Sequence, residues 1–136
     1  MATRGTIAIQ NEDGSVTGIY THWDSYLSNN GRILQENYTD EDKVRELIAL
    51  GDLSSLGETV GAKVDFNDYA AHEGQCVAYG RDRGDTGVGA KTHHNWTAFL
   101  TMLGQKYDYL FVPGKGWFVS EEMIPLEEAL REDQEA

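Results

Sequence analysis

The sequence predicts an α+β fold: a mainly antiparallel sheet built from an N-terminal and a C-terminal β-hairpin, with three to four helices covering one face. β-Rich segments flank Asp13-Gly14 near one end of the chain and Pro113-Gly114 near the other, and both dipeptides favour tight turns. Elsewhere, apolar residues recur at helical spacing. At 136 residues, with no internal repeat or linker, the chain is expected to form a single globular domain over residues 1–136.

The N-terminal hairpin carries the strongest local signal. Residues 6–10 and 16–22 are rich in β-branched and apolar side chains, and an Asp-Gly turn separates them. Side chains alternate between the two faces of a strand, so if Ile7 faces the core, Ala8 faces the opposite side.

Two helices are predicted after this hairpin. Residues 31–38 fit a short helix, and Thr39 is expected to cap a longer one that ends at Gly51 in a left-handed cap. The apolar stripe of the longer helix consists of Val44, Leu47, Ile48 and Leu50.

In the second half of the chain, the sequence predicts a strand, a loop and two helices in addition to the C-terminal hairpin. Residues 75–79 fit a short buried strand, and the glycine-dense residues 80–90 fit an exposed, mobile loop. Pro125 suits the first turn of a last helix. A helix is also expected to start at Thr92 or Asn95, with an apolar stripe at Trp96, Phe99, Leu100 and Leu103.

The formal net charge of −12 disfavours binding to polyanions. Nucleic acids and anionic membranes are polyanions, so we expect no direct binding to nucleic acid and no membrane association. The acidic C-terminal helix and tail, residues 121–136, carries half of this charge. It fits either a solvated surface or one that imitates a phosphate backbone. Its acidic residues are Glu121, Glu122, Glu127, Glu128, Glu132, Asp133 and Glu135, against Arg131 alone.

Three features favour a cytosolic location. No apolar run approaches the roughly 20 residues that span a bilayer, and the N-terminus lacks the apolar core of a signal peptide. The single Cys76 cannot form an internal disulfide. Because it lies in an apolar run, we expect it in the core rather than as a nucleophile.

The first group of candidate ligand-binding residues lies where the N-terminal hairpin ends. Aromatic rings, an imidazole and a carboxylate occur together there in Tyr20, His22, Trp23, Asp24 and Tyr26. Aromatic faces stack on bases or sugars at a low entropy cost. His22 and Asp24 would share one face of an extended chain, which fits a structural pair, a ligand contact or an acid–base pair.

The glycine-dense segment holds the second group. Arg81, Arg83 and Lys91 lie between a predicted strand and a predicted helix, where backbone N–H groups and guanidinium groups can hold phosphate. The segment matches neither common glycine-rich nucleotide motif, and Asp82 and Asp85 could neutralise the arginines internally. We hypothesise that this segment and the end of the first hairpin form one cationic, aromatic-walled pocket.

No metal, cofactor or catalytic motif is recognisable in the sequence. His93 and His94, adjacent on a helix, would point about 100° apart, so together with His72 they do not predict a zinc site. The polar residues after Asp65 lack the pattern of a calcium loop. We therefore expect no metal and no cofactor, and a binding protein rather than an enzyme.

Nearly the whole chain resembles a family of small, mostly uncharacterised bacteriophage-encoded proteins. The resemblance centres on an Ile-Tyr-x-His-Trp-Asp motif at residues 19–24. It extends to residues 1–9, 12–16, 31–34, 44–56, 77–84 and 107–119. The family supplies a context, the cytoplasm of an infected bacterial host, and no established mechanism.

This context implies a counter-defence protein that acts by stoichiometric binding. In one mechanism it sequesters a small nucleotide immune signal, with the aromatic residues and His22 on the base or ribose and the cationic residues on the phosphate. In another, the acidic C-terminal surface occupies the nucleic-acid groove of a host nuclease such as a CRISPR effector. A small nucleotide hydrolase, with His22 and Asp24 as an acid–base pair, is a third. The aromatic, histidine and arginine residues favour the first, and homo-oligomer formation stays open.

Overall fold

The computed structural model describes residues 2–135, which form one eight-stranded sheet with helices on both faces. The strands are β1 (Gly5–Gln10), β2 (Val16–Thr21), β3 (Leu53–Ser55), β4 (Val77–Ala78), β5 (Lys91–His93), β6 (Tyr107–Val112), β7 (Gly116–Val119) and β8 (Ile124–Pro125). The helices are α1 (Arg32–Asn37), α2 (Glu41–Ile48), α3 (Tyr79–Arg83), α4 (Trp96–Leu103) and α5 (Leu126–Glu135), with a π-helical turn at Leu27–Gly31 and a 3₁₀ turn at Tyr69–His72. The predicted α+β fold is confirmed.

The sheet is assembled from the two predicted hairpins. Strands β1 and β2 pair antiparallel across a turn in which Gly14 has a φ of 88°. Strands β6 and β7 pair antiparallel across a turn in which Gly114 has a φ of 83°. The hairpins join through parallel pairing of β1 with β6. The order across the sheet is β4-β3-β2-β1-β6-β7-β8, with β5 also paired to β2.

The alternation of side chains along β1 divides the core into two layers. Ile7 packs in the larger layer, which contains buried residues of α1, α2 and α5. Ala8 packs in the smaller layer, which contains Phe99 of α4. Three helices therefore cover one face as predicted, and α4 covers the opposite face. The reason is that Ala8, Val16 and Leu110 form an apolar strip on that face, which must also be removed from water.

Side-chain caps set the starts of two helices. Asp40, rather than the predicted Thr39, caps α2, because its carboxylate accepts a 2.8 Å hydrogen bond from the backbone N–H of Lys43. Asn95 caps α4 in the same way, accepting from Ala98 at 2.8 Å.

Two short elements were not predicted from the sequence. Leu53–Ser55 forms β3, which pairs with both β2 and β4. Helix α3 spans Tyr79–Arg83 and is followed by Gly84, whose φ is 84°. The prediction of an exposed loop over residues 80–90 is therefore wrong for residues 80–83.

The acidic C-terminal helix packs through a narrow apolar edge. Leu126 and Ala129 of α5 are buried, whereas all seven acidic residues between positions 121 and 135 are exposed. Trp117 is also buried, and its indole N–H donates a 2.8 Å hydrogen bond to the carbonyl of Tyr38, so it belongs to the core. Within residues 2–135, the helices are too short or too polar to cross a membrane.

Gly18 tests the packing of α4 against the sheet. A Cβ atom at Gly18 would lie 2.6 Å from Cζ of Phe99 and 2.7 Å from Cβ of Ala8. We expect Gly18→Ala to lower the free energy of unfolding by about 1–3 kcal/mol, because the added methyl overpacks this layer. Urea denaturation followed by tryptophan fluorescence measures the change.

Gly80→Ala is the matched control for this substitution. A Cβ there would make only ordinary contact, 3.4 Å from Cγ2 of Val88, and alanine favours the helix in which it lies. The control should match or exceed the stability of the wild type. A Gly18→Ala variant as stable as this control would contradict the tight packing described here.

Candidate ligand-binding cavity

A cavity of about 450 Å³ opens between the end of β2, β3, the 3₁₀ turn and α3. Small-molecule sites typically have volumes of roughly 300–1,000 Å³. Six of its ten lining residues carry aromatic or imidazole rings. The lining residues are His22, Trp23, Asp24, Ser54, Ser55, Phe66, Tyr69, His72, Tyr79 and Arg83.

The chain after β2 is guided into this cavity by continued pairing with β3. The backbone N–H of His22 donates to the carbonyl of Leu53 at 3.1 Å, and that of Trp23 donates to Ser54 at 3.0 Å. Asp24 then adopts a left-handed φ of 58°, a conformation that Asp tolerates better than most residues. The end of the first hairpin thereby supplies three lining residues.

Half of the six rings, those of Phe66, Tyr69 and His72, come from residues 58–74, for which the sequence predicts no regular element. Phe66 and Tyr79 lie with ring centroids 5.8 Å apart, and Tyr69 packs edge-on against His72 at 5.5 Å. Tyr69 is 78% exposed and Trp23 is 42% exposed, so neither ring is used to fill the core. The signal that could have identified these residues is a group of aromatic rings in a polar segment with few apolar neighbours.

Half of the predicted ligand-binding residues line the cavity and half do not. His22, Trp23, Asp24 and Arg83 line it. The other four are placed elsewhere. Tyr20 hydrogen-bonds to His22 without lining the cavity, and the exposed Tyr26 does not line it either. Lys91 lies on β5 and donates to the carbonyl of Gly89 at 3.4 Å, and Arg81 points into the fold.

Arg81 uses all five of its N–H groups within the protein. Its Nε donates to Oδ1 of Asp82 at 2.9 Å, and its Nη2 donates to Oδ2 at 3.1 Å. The other donors reach backbone carbonyls of Val60 at 2.9 Å, Cys76 at 2.8 Å and Gly61 at 3.4 Å. Arg81 therefore fastens the segment that follows β3 to α3, and no donor remains for a phosphate.

The carboxylate of Asp82 is the buried partner in this network. It also accepts hydrogen bonds from the backbone N–H groups of Val64 at 3.0 Å and Ala78 at 2.8 Å. Burial acts to raise the pKa of Asp82, but the hydrogen bonds from Arg81 and from the two backbone groups outweigh it and leave the pKa lowered.

Arg83 instead faces the cavity. Its guanidinium lies 4.5 Å from the ring centroid of Tyr79 and 4.8 Å from that of Phe66, within the range of cation–π contacts. Its Nη2 and Nε donate to the carboxylate of Asp85 at 2.7 Å and 3.0 Å. The Arg83 side chain is 48% exposed, so this ion pair is open to solvent. The guanidinium group retains three N–H groups that Asp85 does not use.

The charged side chains at the cavity carry no net positive charge in the absence of a ligand. Asp85 neutralises Arg83, and Asp24 adds a carboxylate to the lining. The hairpin end and α3 do meet at one cavity, but the prediction that this pocket is cationic is wrong. Arg81 pairs with Asp82 and Arg83 pairs with Asp85, so both guanidinium groups are neutralised internally.

The lining residues do not form a recognisable catalytic arrangement. Nδ1 of His22 lies 2.7 Å from the hydroxyl of Tyr20, so Tyr20, and not Asp24, orients the imidazole. Cys76 is fully buried, and burial raises the pKa of its thiol, which places it in the core as expected. Within residues 2–135, no three His, Cys, Asp or Glu side chains are placed to hold a metal ion.

Removing Arg81 should destabilise the fold. Arg81→Ala leaves the carboxylate of Asp82 buried without its counter-charge, and we expect the free energy of unfolding to fall by about 3–5 kcal/mol. Arg83→Ala is the matched control, because its pair with Asp85 is exposed and such pairs contribute little. Equal stability of the two variants in urea denaturation would show that Arg81 is not the fastening residue.

The lowered pKa of Asp82 predicts a pH-dependent contribution to stability. A carboxyl group whose pKa is lower in the folded state stabilises the fold above its unfolded pKa, here about 3.8, and loses this effect as the pH falls through its folded pKa. The stability difference between the wild type and Asp82→Asn should therefore be constant near neutral pH and shrink below about pH 3.8. Urea denaturation across this range measures it, and a difference that grows on acidification would contradict the assignment.

Comparisons with protein-family models, with curated proteins and with solved structures found no match to this chain.

Proposed function

We propose that this protein binds a small nucleotide stoichiometrically in the aromatic cavity. In the biological setting suggested by the resemblance to phage proteins, it is a counter-defence protein that sequesters a nucleotide immune signal in the cytoplasm of the infected bacterial host. The observation that carries the proposal is the meeting of the hairpin end and α3 at one open cavity with six rings and a guanidinium group.

The aromatic wall supports binding of a nucleobase. Stacking on an aromatic face suits any base. Trp23 and Tyr69 remain 42% and 78% exposed although each packs edge-on against a neighbouring histidine. Ser54, Ser55 and Asp24 bring hydroxyl and carboxylate groups to the same cavity, and these can exchange hydrogen bonds with the hydroxyls of a ribose. The volume of about 450 Å³ suits a mononucleotide-sized group.

Arg83 supplies the phosphate contact in this proposal. A phosphate offers more charge and more acceptor oxygens than a carboxylate, so it can displace Asp85 from the guanidinium group. Asp85 lies between Gly84 and Gly87, which have positive φ values of 84° and 73°. Glycine adopts many backbone conformations, so this short segment can withdraw Asp85 when a ligand arrives. The net charge of −12 disfavours long nucleic acids, which would meet the acidic surface beyond the cavity.

The acidic helix α5 favours a second candidate function. All seven acidic residues between positions 121 and 135 are exposed, and α5 packs through one narrow edge. A surface of this kind can occupy the nucleic-acid groove of a host nuclease such as a CRISPR effector. Replacing the exposed acidic residues of α5 with their amides keeps the buried Leu126 and Ala129 in place. This change should leave nucleotide capture intact and weaken nuclease inhibition, so the two functions are separable.

Trp23 provides the first test of nucleotide binding. A panel of cyclic and ADP-ribose-type nucleotides should include a ligand that raises the melting temperature of the wild type. Trp23→Ala should weaken its binding by about 1–3 kcal/mol, or roughly 5- to 150-fold in Kd, because a stacking face is lost. Tyr26→Ala is the matched control, since Tyr26 is similarly exposed and does not line the cavity.

The fate of the nucleotide distinguishes capture from hydrolysis. Ligand released by denaturing the complex should run as the intact compound in chromatography. Altered ligand would indicate a hydrolase. No shift with any member of the panel, together with a stable complex with a nuclease, would favour the acidic decoy and contradict nucleotide capture.

Asp85 provides a test in which binding should improve. Asp85→Asn removes the internal competitor for Arg83, and we expect tighter binding of a phosphorylated ligand with unchanged binding of the corresponding nucleoside. Arg83→Ala should weaken the phosphorylated ligand only. Isothermal titration of both ligands on the three proteins measures these effects. A nucleoside that responds to Asp85→Asn as strongly as the nucleotide would show that Arg83 does not contact the phosphate.

A further inference from the structure

Tyr20 makes a contact that the cavity lining alone does not explain. Tyr20 and His22 are two residues apart where β2 ends, so their side chains project to the same side. The Tyr20 hydroxyl lies 2.7 Å from Nδ1 of His22, whereas the Tyr20 side chain does not line the cavity. The backbone N–H of Tyr20 also donates to Oδ1 of Asp52 at 3.0 Å, which fixes the position of the tyrosine.

The protonation of the hydroxyl bears on the direction of this hydrogen bond. Burial raises the pKa of the Tyr20 phenol, and the interaction with the nearby Arg4 guanidinium only opposes that rise, so the hydroxyl keeps its proton. The hydroxyl has one hydrogen to donate, and Nδ1 of His22 lies within hydrogen-bond distance of it. The hydroxyl hydrogen is then free to point at Nδ1 of His22.

A neutral imidazole that accepts at one nitrogen carries its proton on the other. Nδ1 is used by Tyr20, so Nε2 is the nitrogen left for a ligand in the cavity that His22 lines. The imidazole is further held against Trp23, with ring centroids 4.7 Å apart and planes nearly perpendicular at 84°. A base stacked on Trp23 would therefore have its edge beside the histidine.

We infer that Tyr20 is a positioning residue that holds His22 in the Nε2–H form, so that the cavity selects a nucleobase with a hydrogen-bond acceptor on its edge. This inference rests on the proposed function, because the acceptor belongs to the base that the cavity takes. Tyr20 itself touches no ligand and acts through the orientation and tautomer of the imidazole.

The tautomer can be measured in the ligand-free, full-length protein. Long-range ¹H–¹⁵N correlation NMR at about pH 8, where histidines are generally neutral, should show His22 protonated on Nε2 in the wild type. The His22→Gln variant identifies the His22 signals by their absence. Tyr20→Phe should give a mixture of both tautomers. Protonation on Nδ1 in the wild type, or an unchanged tautomer in Tyr20→Phe, would overturn the inference.

Binding of the nucleotide found by the thermal-shift panel tests the consequence for recognition. Tyr20→Phe should weaken this ligand roughly 5-fold, the usual effect of one neutral hydrogen bond. The His22→Gln variant should keep most of the affinity, because the amide nitrogen of the glutamine takes the place of Nε2. The double variant, His22→Gln with Tyr20→Phe, should bind as tightly as His22→Gln alone. His22→Asn, whose amide takes the place of Nδ1, should bind weakly. A Tyr20→Phe effect that persists in the His22→Gln background would overturn the role assigned to the tautomer.

The two proposals fail in different ways. If no nucleotide binds the wild type, the proposed function is wrong, and so is the inference that the cavity selects a base with an acceptor on its edge. The NMR result then still decides whether Tyr20 sets the tautomer of His22. If a nucleotide binds but an analogue lacking the acceptor on its base edge binds equally well, capture stands and the inference is wrong.

Discussion

The cavity depends on one buried ion pair, between Arg81 and Asp82. The five N–H groups of Arg81 donate hydrogen bonds to the carboxylate of Asp82 and to three backbone carbonyls. The carboxylate of Asp82 also accepts hydrogen bonds from two backbone N–H groups. These contacts join the segment after β3 to the start of α3. An ion pair in a protein interior is favourable only when its remaining hydrogen-bonding groups are satisfied, and this one meets that condition.

Because Arg81 points into the fold, Arg83, two positions further along the chain, can face the solvent. The short helix α3 turns Arg83 towards the aromatic wall, where Tyr79 and Phe66 hold the guanidinium group and Asp85 neutralises it. A chain with a net charge of −12 needs a local cation to hold an anion, and an internal counter-ion keeps that cation paired when no ligand is present. In the proposed function, the affinity for a phosphate would be the difference between two ion pairs, and binding would be limited to ligands that also use the aromatic faces.

Short-range sequence patterns predicted the helices and strands that local interactions specify. The Asp-Gly and Pro-Gly turns specify the two hairpins, and the stripe from Val44 to Leu50 specifies α2. The sequence could not distinguish Arg81 from Arg83, because both are flanked by glycine and aspartate, and only the tertiary structure decides which one is buried. Residues 58–74 carry no periodic pattern, since 3₁₀ geometry and side-chain contacts organise them, so Phe66 and Tyr69 were not identified.

The most direct measurement of the central claim is a crystal structure of the protein with the nucleotide that stabilises it most. The account predicts a base stacked against Trp23 and a phosphate on Arg83, with Asp85 withdrawn from the guanidinium group and Arg81 still bonded to Asp82. A nucleotide bound elsewhere on the protein, or a phosphate on Arg81 with the Arg83–Asp85 pair intact, would contradict it.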